Sequence, residues 1–506
     1  MKFFRTEQIR HIDATTIERE PIASIDLMER AAARLHNAIM NHFGQQGYTF
    51  ALFAGPGNNG GDALAVARML HASGEAVAVW LVAPTGRLSA DCRCNLERLK
   101  SMGIPTNECN DEFAAPSLPA RYVIIDGLFG SGLNKPLDGL FARVVDFINS
   151  APATVVAIDI PSGLPGEAVI TPDCKVVNAD ITLTLQFPKL SLMMPENEKA
   201  VGHWQVLDIS LDATAIAECD TPYRYTTASD IKALVRPRSR FSHKGNYGRA
   251  LLVAGSLGMA GASILAARAA LRSGTGLLTV CTPWVNNAMV QCAVPEAMTL
   301  PYHGEAHLCS APDTAPYSAI AIGPGLGTDE ATANALLETM EQCKAPLVLD
   351  ADALNIISSH EGWIEKIPAG SIITPHPGEF ARLAGKHTGR MEQIAQATAM
   401  ATRLGIVVVL KGAYTVVCTP DGRQHFNSSG NPGMATGGSG DVLTGITLAL
   451  LAQGYPPTEA ALMAVYIHGL AGDVAATEHG YTATTAGDIV NALPSAWKTL
   501  EAPHAR

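Results

Sequence analysis

The chain has 506 residues, a formal net charge of −11, 47% hydrophobic residues and 16% charged residues. This length is too great for one hydrophobic core, so we expect two large domains or three of average size. The hydrophobic content excludes a largely disordered chain, and the negative charge without an extended basic face argues against a nucleic-acid partner.

The start of the chain, MKFFRTEQIRHIDATTIERE, lacks the apolar segment of a signal peptide. No apolar run approaches the length of a membrane span. The ten cysteines are scattered through apolar segments, and the Cys92-x-Cys94 pair has no second pair with which to form a zinc site. We therefore expect a cytoplasmic protein with buried free thiols and no membrane partner.

The first half alternates strands and helices after a helical stretch over residues 1–45. The pattern predicts a helix over 63–70 and strands over 48–55, 77–82, 121–126, 154–160, 181–186 and 203–208. This alternation is typical of an α/β domain with a Rossmann-like, doubly wound sheet. Ligands of such sheets bind outside the carboxyl ends of the strands.

Residues 55–62, GPGNNGGD, are predicted to form a loop between the first strand and the next helix. The loop matches the G-x-G-x-x-G dinucleotide fingerprint. However, the next predicted strand ends without an acid to hold a ribose hydroxyl. The loop also carries Asn58, Asn59 and Asp62, more polar side chains than a pyrophosphate turn needs. A plain Rossmann cofactor site therefore stays an alternative rather than the favoured interpretation.

Four polar residues lie at the predicted carboxyl ends of strands and should share one rim of the sheet. They are Asn59, Asp126, Asp159 and Ser162. Each alone is typical of a turn or a cap, but together they indicate a site. Amide, carboxylate and hydroxyl oxygens are hard ligands that suit hard cations.

Three motifs in order, GPGNNGGDALAVAR, DGLFGSGL and AIDIPSGL, make residues 1–220 resemble the epimerase domain of the NAD(P)H-hydrate repair enzymes. The resemblance implies that Asn59, Asp126 and Ser162 bind K⁺ and that Asp159 is the catalytic acid/base. The residues that it implies in contact with the hydrated dinucleotide are Asn58, Asn59, Gly60, Gly61, Asp62, Gly130, Ser131, Gly132, Leu133, Asn134, Lys135, Pro136 and Asp159.

Residues 219–247 are the predicted join between two domains. The join contains the basic run Arg236-Pro237-Arg238-Ser239-Arg240. The run could be a solvated linker or could contact a phosphate as the chain enters the second domain, and the sequence leaves both open.

The second half repeats the same organisation. The pattern predicts a helix over 260–272 and strands over 248–255, 277–281, 319–322, 347–349, 372–374 and 406–411. Glycine-rich or polar motifs follow most of these strands, so a second ligand site is expected at their carboxyl ends.

Residues 431–441, NPGMATGGSGD, are predicted to be a loop that opens a helix. Unpaired backbone N–H groups at such a junction bind anions, and glycine lets a phosphate approach closely. A carboxylate at this place is repelled by a phosphate, so Asp441 is interpreted as the base for a hydroxyl that attacks phosphorus. The alternative is an ordinary loop with Asp441 as helix N-cap.

This loop is similar to the anion hole of ribokinase-like small-molecule kinases, which lack a Walker P-loop. The motifs GPGLG, DADALN, TPHPGEF, VLKGAYT and NPGMATGGSGD occur in order and resemble the ADP-dependent dehydratase domain of the same repair family. The expected domains are therefore residues 1–222, Rossmann-like, and 223–506, ribokinase-like α/β.

The second resemblance implies that Asp441 is catalytic and that ADP binds with Mg²⁺. The residues implied to contact the hydrated substrate are Ala260, Gly325, Gly327, His376 and Asp441. The residues implied to seat ADP are Lys411, Gly412, Ala413, Tyr414, Thr415, Thr436, Gly437, Gly438, Ser439 and Gly440. Kinases of this fold carry Asn where His376 stands, so a metal-organising role of Glu379 is in doubt. His376 itself could simply be a strand-end histidine bonded to backbone.

The sequence thus predicts a bifunctional repair enzyme that epimerises and dehydrates NADHX and NADPHX, with small-molecule partners and a homo-oligomeric assembly. Two alternatives stay open. The first is a kinase of a vitamin-like alcohol, and the second is a non-catalytic nucleotide sensor. Intact Asp159 and Asp441 argue against the sensor, because a binding module needs neither base.

Overall fold

The computed structural model describes residues 1–109, 113, 115–116, 118, 120–133, 135–171, 173–302 and 306–501. The chain divides into two compact units, Lys2–Thr221 and Met1 with Pro222–Arg506, which we call the N-terminal unit and the C-terminal unit. Each unit contains a largely parallel sheet covered by helices. The predicted α/β class with two such domains is confirmed.

The N-terminal sheet is parallel throughout and changes direction next to its first strand. In the described residues its order is β3-β2-β1-β4-β5-β6-β7. Successive strands extend one way from β1 and the other way from β4, so the topological switch point lies between these two. The strands are β1 (Thr49–Ala54), β2 (Ala76–Val82), β3 (Thr106–Cys109), β4 (Tyr122–Gly127), β5 (Thr154–Ile158), β6 (Ile181–Leu185) and β7 (His203–Leu207).

The helix after β1 begins earlier than predicted. The prediction placed residues 55–62 in a loop, whereas the helix starts at Asn58. Close packing explains the difference, because a Cβ on Gly60 would lie 1.8 Å from the carbonyl oxygen of Gly55. The α-helices described in this unit are α1 (Thr6–Arg19), α2 (Ser24–Phe43), α3 (Asn58–Ala72), α4 (Ala90–Ser101), α5 (Gly139–Ser150), α6 (Glu198–Val201) and α7 (Ala213–Glu218).

The C-terminal sheet has the order β11-β10-β9-β12-β13-β14-β15-β16-β17-β8 in the described residues. Only β16 runs antiparallel to its described neighbours. The topological switch point of the C-terminal sheet lies between β9 and β12. The strands are β8 (Tyr223–Thr226), β9 (Arg249–Val253), β10 (Leu277–Pro283), β11 (Met298–Tyr302), β12 (Ala319–Ile322), β13 (Leu347–Leu349), β14 (Ile372–Ile373), β15 (Val407–Leu410), β16 (Val416–Cys418) and β17 (Gln424–Asn427).

The helix that follows the glycine loop is the centre of this unit's core. This helix, α15 (Ser439–Ala452), packs on α9 (Ala260–Arg272) so closely that a Cβ on Gly445 would lie 2.1 Å from the carbonyl oxygen of Ala266. The α-helices described here are α8 (Ala228–Leu234), α9 (Ala260–Arg272), α10 (Trp284–Ala293), α11 (Glu330–Gln342), α12 (Asp352–Ser359), α13 (Pro377–Ala384), α14 (Arg390–Leu404), α15 (Ser439–Ala452), α16 (Pro457–Ala483) and α17 (Ala486–Leu500).

One described helix, α16, has the length and apolar composition that a membrane span requires. However, 61% of its most apolar window is buried inside the protein. A mostly buried core helix has the same length and composition.

The predicted join is partly structured, and its basic run, residues 236–240, is exposed and forms neither helix nor strand. Residues 223–226 form β8, which pairs with β17 at the edge of the C-terminal sheet. The Arg236 guanidinium lies over the ring of Tyr455, and that of Arg238 lies over the ring of Tyr247. Arg236 and Arg238 therefore hold this segment against the C-terminal unit.

Candidate active sites

The N-terminal switch point brings together the four rim residues singled out in the sequence. Asn59 lies in the first turn of α3, and Asp126 lies in β4, the strand beside β1. Asp159 and Ser162 follow β5, the next strand of the sheet. The parallel order of these strands therefore creates a single cluster from residues that are far apart in the chain.

Asp126 and Ser162 form a buried hydrogen-bonded pair. The Ser162 hydroxyl donates to Asp126 Oδ1 at 2.6 Å, and the Ser162 N–H donates to Oδ2 at 2.8 Å. The N–H of Phe129 donates to Ser162 Oγ at 2.8 Å. Burial raises the pKa of Asp126 to about 6, although the hydrogen bonds from Ser162 and from the N–H of Leu128 act in the opposite direction.

Asn59 and Asp159 converge on Gly130. A Cβ on Gly130 would lie 3.4 Å from both Asn59 Oδ1 and Asp159 Oδ2. Within the part of the chain that the structure describes, the other amide atom of Asn59, Nδ2, is buried without a hydrogen-bond partner. Glycine therefore leaves space between an amide and a carboxylate, and the Asn59 side chain has unused capacity toward a ligand.

Asp159 is held in an uncommon backbone conformation, with φ of 64°. Residues with φ above zero that are not glycine often occur at functional sites. Its Oδ1 accepts from the ammonium of Lys189 and from the N–H of Leu185 at 3.3 Å. Its Oδ2 lies 3.5 Å from the N–H of Ser131. The carboxylate is thus held mainly through Oδ1, since the hydrogen bond to Oδ2 is long.

Two further carboxyl groups lie near this cluster, and burial favours the neutral form of both. Burial raises the pKa of Asp13 to about 6, with Lys189 lowering it and Asp159 raising it. Burial also raises the pKa of Asp62 well above its usual value, and the charge of Asp159 adds to the effect. The cluster therefore contains several carboxyl groups around the buried ammonium of Lys189.

The remaining predicted contacts surround this cluster. Gly61 packs on Met28, and a Cβ on Gly132 would lie 2.4 Å from Nη2 of Arg10. The N–H of Leu133 donates to the carbonyl of Gly130. Lys135 and Pro136 are exposed, and Asn134 lies outside the described residues.

In the C-terminal unit, the glycine loop ends at Gly438, three residues before Asp441. Helix α15 begins at Ser439, and its N-cap is Gly438 with φ of 88°. The alternative of Asp441 as N-cap is therefore wrong, since Asp441 is the third residue of the helix. Gly438 has no side chain that could accept from the first-turn N–H groups, which leaves this helix start available to an anion.

Lys411 stands beside that helix start. Its ammonium donates to Asp350 Oδ1 at 3.0 Å and lies 3.8 Å from Glu379. Asp350 Oδ2 accepts from the Thr444 hydroxyl at 2.7 Å. A Cβ on Gly440 would lie 3.5 Å from Lys411 Nζ, so glycine leaves room between the ammonium and the helix backbone.

The electrostatics of Asp441 suit a base. Burial, together with the charges of Asp350 and Asp352, raises the pKa of Asp441 to about 7, and the charge of Lys411 acts in the opposite direction. Burial lowers the pKa of Lys411, but the carboxylates of Asp350, Glu379 and Asp441 together raise it above its usual value. Lys411 therefore stays an ammonium, while Asp441 takes up and releases a proton near neutral pH.

His376 is the N-cap of α13. Its Nδ1 accepts from the N–H of Gly378 at 3.0 Å, and its own N–H donates to Glu379 Oε2 at 2.8 Å. This capping box agrees with the alternative interpretation from the sequence, in which His376 is a strand-end histidine bonded to backbone. The half-exposed ring keeps Nε2 3.3 Å from Glu379 Oε1.

The other predicted residues lie at the carboxyl ends of strands, at the start of α9 or at the glycine loop. Ala260 is the first residue of α9, and Gly325 leaves space that a Cβ would fill against Met259. The N–H of Gly327 donates to Asp352 Oδ2 at 2.9 Å. The exposed Gly412 and Ala413 and the half-buried Tyr414 and Thr415 form the turn between β15 and β16, and Thr436, Gly437 and Ser439 surround the N-cap of α15.

Sequence reasoning missed several residues that complete these sites. Lys189 follows β6, so the rule that polar residues after strands form the site could have found it. Asp13 lies in helix α1 and does not follow a strand, so the same rule could not have found it. His468 reaches Ser439 from α16, with 3.2 Å between Nε2 and Oγ, and burial lowers its pKa to about 4.

Two family models match this chain. One, described as NAD(P)H-hydrate dehydratase, matches residues 250–495. The other, described as YjeF-related protein N-terminus, matches residues 24–191.

Similar proteins span nearly the whole chain. A bifunctional NAD(P)H-hydrate repair enzyme of Moorella thermoacetica is 36% identical over 98% of this chain and 96% of its own length. Its counterpart in Escherichia coli is 35% identical over 87% of this chain and 84% of its own length. A solved ADP/ATP-dependent NAD(P)H-hydrate dehydratase from Bacillus subtilis, co-crystallized with ATP/Mg²⁺, is 34% identical over 55% of this chain and 99% of its own, with a TM-score of 0.47.

Proposed function

The chain belongs to the family of bifunctional NAD(P)H-hydrate repair enzymes, and from this premise we propose how its two units divide the repair of NADHX and NADPHX. The N-terminal domain, residues 1–222, interconverts the R and S hydrates. The C-terminal domain, residues 223–506, dehydrates the S hydrate at the expense of ADP, giving AMP and phosphate. The division of contacts between Thr221 and Pro222 supports this boundary.

One observation carries the dehydratase proposal. A carboxylate with a pKa near 7 lies in the first turn of a buried helix whose N-cap has no side chain, next to the ammonium of Lys411. The start of α15 and the ammonium of Lys411 attract the phosphates of ADP, whereas the carboxylate of Asp441 is repelled by them. A carboxylate kept at such a place has a chemical task.

Asp441 takes the proton of the C6 hydroxyl as that oxygen attacks the β-phosphorus of ADP. AMP leaves, and the poor hydroxide leaving group has become a phosphate ester. The lone pair of the ring nitrogen then expels phosphate, and loss of a proton from C5 restores the reduced ring. Donors around residues 436–440 stabilise charge on the transferred group, and one such donor is typically worth roughly 3–4 kcal/mol.

Residues 411–415 seat the nucleotide beside this helix start. The exposed backbone of Gly412 and Ala413 is accessible to it, and Lys411 is fixed by Asp350. Mg²⁺, which screens phosphate charge, usually binds through substrate phosphates and one or two carboxylates. In the described residues no group of three or more His, Cys, Asp or Glu side chains could hold a metal ion.

In the N-terminal domain, Asp159 is the acid/base that acts at C6 of the hydrate. Oxygens of Asn59, Asp126 and Ser162 would hold K⁺, which would supply a positive charge beside this site. The donor set supports this assignment, because Asp126 is a buried carboxylate and the Asn59 amide has an unpaired atom. The unpaired atom is Nδ2, and rotating the amide by 180° would bring Oδ1, the atom that can bind a cation, to its position.

Replacing K⁺ by tetramethylammonium at constant ionic strength is expected to slow epimerisation, because the bulky ion cannot fit between these oxygens. The measurement is chromatographic separation of R and S hydrates over time. Asp126→Ala should abolish the difference between the two salts. Equal wild-type rates in both salts would remove K⁺ from the proposal.

The test of the proposed function is to incubate R and S NADHX with the protein and ADP. Absorbance of reduced nicotinamide should return for both epimers, with one phosphate and one AMP released per molecule repaired. A phosphorylated product that persists would instead identify a kinase. Binding without turnover would identify a nucleotide sensor.

We also propose that the protein acts in the cytoplasm. Its ten cysteines are all free, which suits a reducing compartment. Homo-oligomerisation stays a prediction.

A further inference from the structure

We propose that Lys189 is a positioning residue of the epimerase site, which fixes the Asp159 carboxylate so that Oδ2 faces the substrate. This inference rests on the proposed role of Asp159 as acid/base. It assigns a task to a buried cation that neither the sequence motifs nor the proposed mechanism uses.

The Lys189 ammonium has no capacity left for a substrate. An ammonium has three N–H donors. Its three acceptors are Asp159 Oδ1, Thr184 Oγ1 at 2.9 Å and the Leu185 carbonyl at 3.0 Å. The residue is only 2% exposed. Lys189 therefore cannot bind the substrate, and it acts on the reaction through its neighbours, by these hydrogen bonds and by its charge, which also acts on Asp13.

The segment that carries Lys189 is fixed to the end of β6. Gln186 adopts a φ of 57°, and the N–H of Phe187 donates to the carbonyl of Leu185 at 2.6 Å. The ring of Phe187 is buried and packs edge-to-face on Phe4, with 4.9 Å between ring centroids. This tight turn returns the lysine over the strand end from which two of its acceptors come, so its ammonium has a defined position.

The two oxygens of Asp159 consequently have different environments. Oδ1 accepts from Lys189 and from the N–H of Leu185. Oδ2 accepts a long hydrogen bond, 3.5 Å, from the N–H of Ser131 and faces the space beside Gly130, where a Cβ would lie 3.4 Å from it and from Asn59 Oδ1. A general acid/base must meet the substrate within hydrogen-bond distance, and a misplacement of about 1 Å can cost as much as 10²-fold in rate. Anchoring one oxygen fixes the other at the reacting atoms.

The test is a double-mutant cycle in the full-length protein, with Lys189→Met, Asp159→Asn and the combined variant. Lys189→Met is expected to lower kcat for epimerisation roughly 10–10²-fold with little change in KM. In the Asp159→Asn background the same substitution should change the rate less than about twofold, because the carboxylate that it positions is already absent. Dehydration of the S hydrate by the C-terminal domain is measured in parallel and should stay at the wild-type rate in all three.

Two further variants keep the test decisive. Thr184→Val preserves shape and removes one acceptor of the ammonium, so it should lower kcat severalfold even if Lys189→Met folds poorly. Lys175→Met removes a lysine from an exposed pair with Asp146 and should have no effect.

Unchanged kcat in Lys189→Met, or an equal further loss in the Asp159→Asn background, would overturn the positioning role while leaving the proposed function intact. Full epimerisation by Asp159→Asn alone would instead overturn the acid/base assignment on which the inference rests.

Discussion

Asp159→Asn is expected to lower the rate of epimerisation by at least about 10²-fold, the usual contribution of a general acid or base. The amide keeps the shape of the side chain but cannot exchange a proton with the C6 hydroxyl. Dehydration of the S hydrate should persist, because that reaction belongs to the other domain. An R/S mixture supplied with ADP should then regain absorbance in a fast S phase followed by a slow R phase.

The matched control is Asp146→Asn, which removes an exposed carboxylate from the same domain. It should retain single-phase recovery at the wild-type rate. If Asp159→Asn also epimerises at the wild-type rate, Asp159 has no part in the reaction. Loss of both activities in Asp159→Asn would indicate a folding defect rather than a chemical one.

The sequence was sufficient to place most strands and the motifs that follow them. Hydrophobic runs of four to seven residues mark fully buried parallel strands, and glycine or polar motifs mark their carboxyl ends. Because all such ends meet at one edge, the grouping of Asn59, Asp126, Asp159 and Ser162 followed from topology alone. Helix α9 and the strands β12 and β13 have the predicted bounds.

Contacts between distant residues could not be predicted in the same way. Lys189 is 30 positions from Asp159, and Lys411 is 61 positions from Asp350. No local pattern specifies either pair, since each depends on how neighbouring strand ends align. The same holds for the early start of α3, where contact between Gly60 and Gly55 decides the boundary.

The N-terminal end of α15 shows why local rules can also mislead. Asp is a good N-cap residue, so a capping role for Asp441 was reasonable. Glycine accepts φ above zero at little cost, however, and Gly438 caps the helix instead. Asp441 is thereby released from capping and lies 4.0 Å, measured from Oδ2, from the Cβ position of Gly438.

Asp441→Asn is expected to lower dehydration by roughly 10² or more while leaving nucleotide binding intact or tighter. Asn cannot accept the proton of the C6 hydroxyl, and it removes a negative charge that repels the phosphates of ADP. The paired measurement is ADP affinity by calorimetry and return of reduced nicotinamide absorbance from the S hydrate. Glu341→Gln, which removes a carboxylate from an exposed pair with Lys366, is the matched control. A variant that binds ADP and dehydrates at the wild-type rate would exclude Asp441 as the base.

The pH dependence separates a base from a structural carboxylate. The pKa of Asp441 is raised to about 7, so wild-type dehydration should rise with pH through about 7, as the carboxylate forms, and then level off. The folded state holds this proton more tightly than the unfolded state, whose value is 3.8. Asp441 therefore lowers the free energy of unfolding as pH rises from about 4 to 7.

Asp441→Asn should accordingly gain stability relative to wild type across that range, keep the gain above pH 7, and show none below pH 4. Denaturant unfolding of both proteins at pH 4, 5.5 and 8 measures the difference. A variant that is more stable at pH 8 yet inactive would show that the chain retains a destabilising carboxylate for its chemistry. Equal stability at all three pH values would mean that burial does not raise the pKa of Asp441. Asp441 could then not be assigned as a base with a pKa near neutral pH.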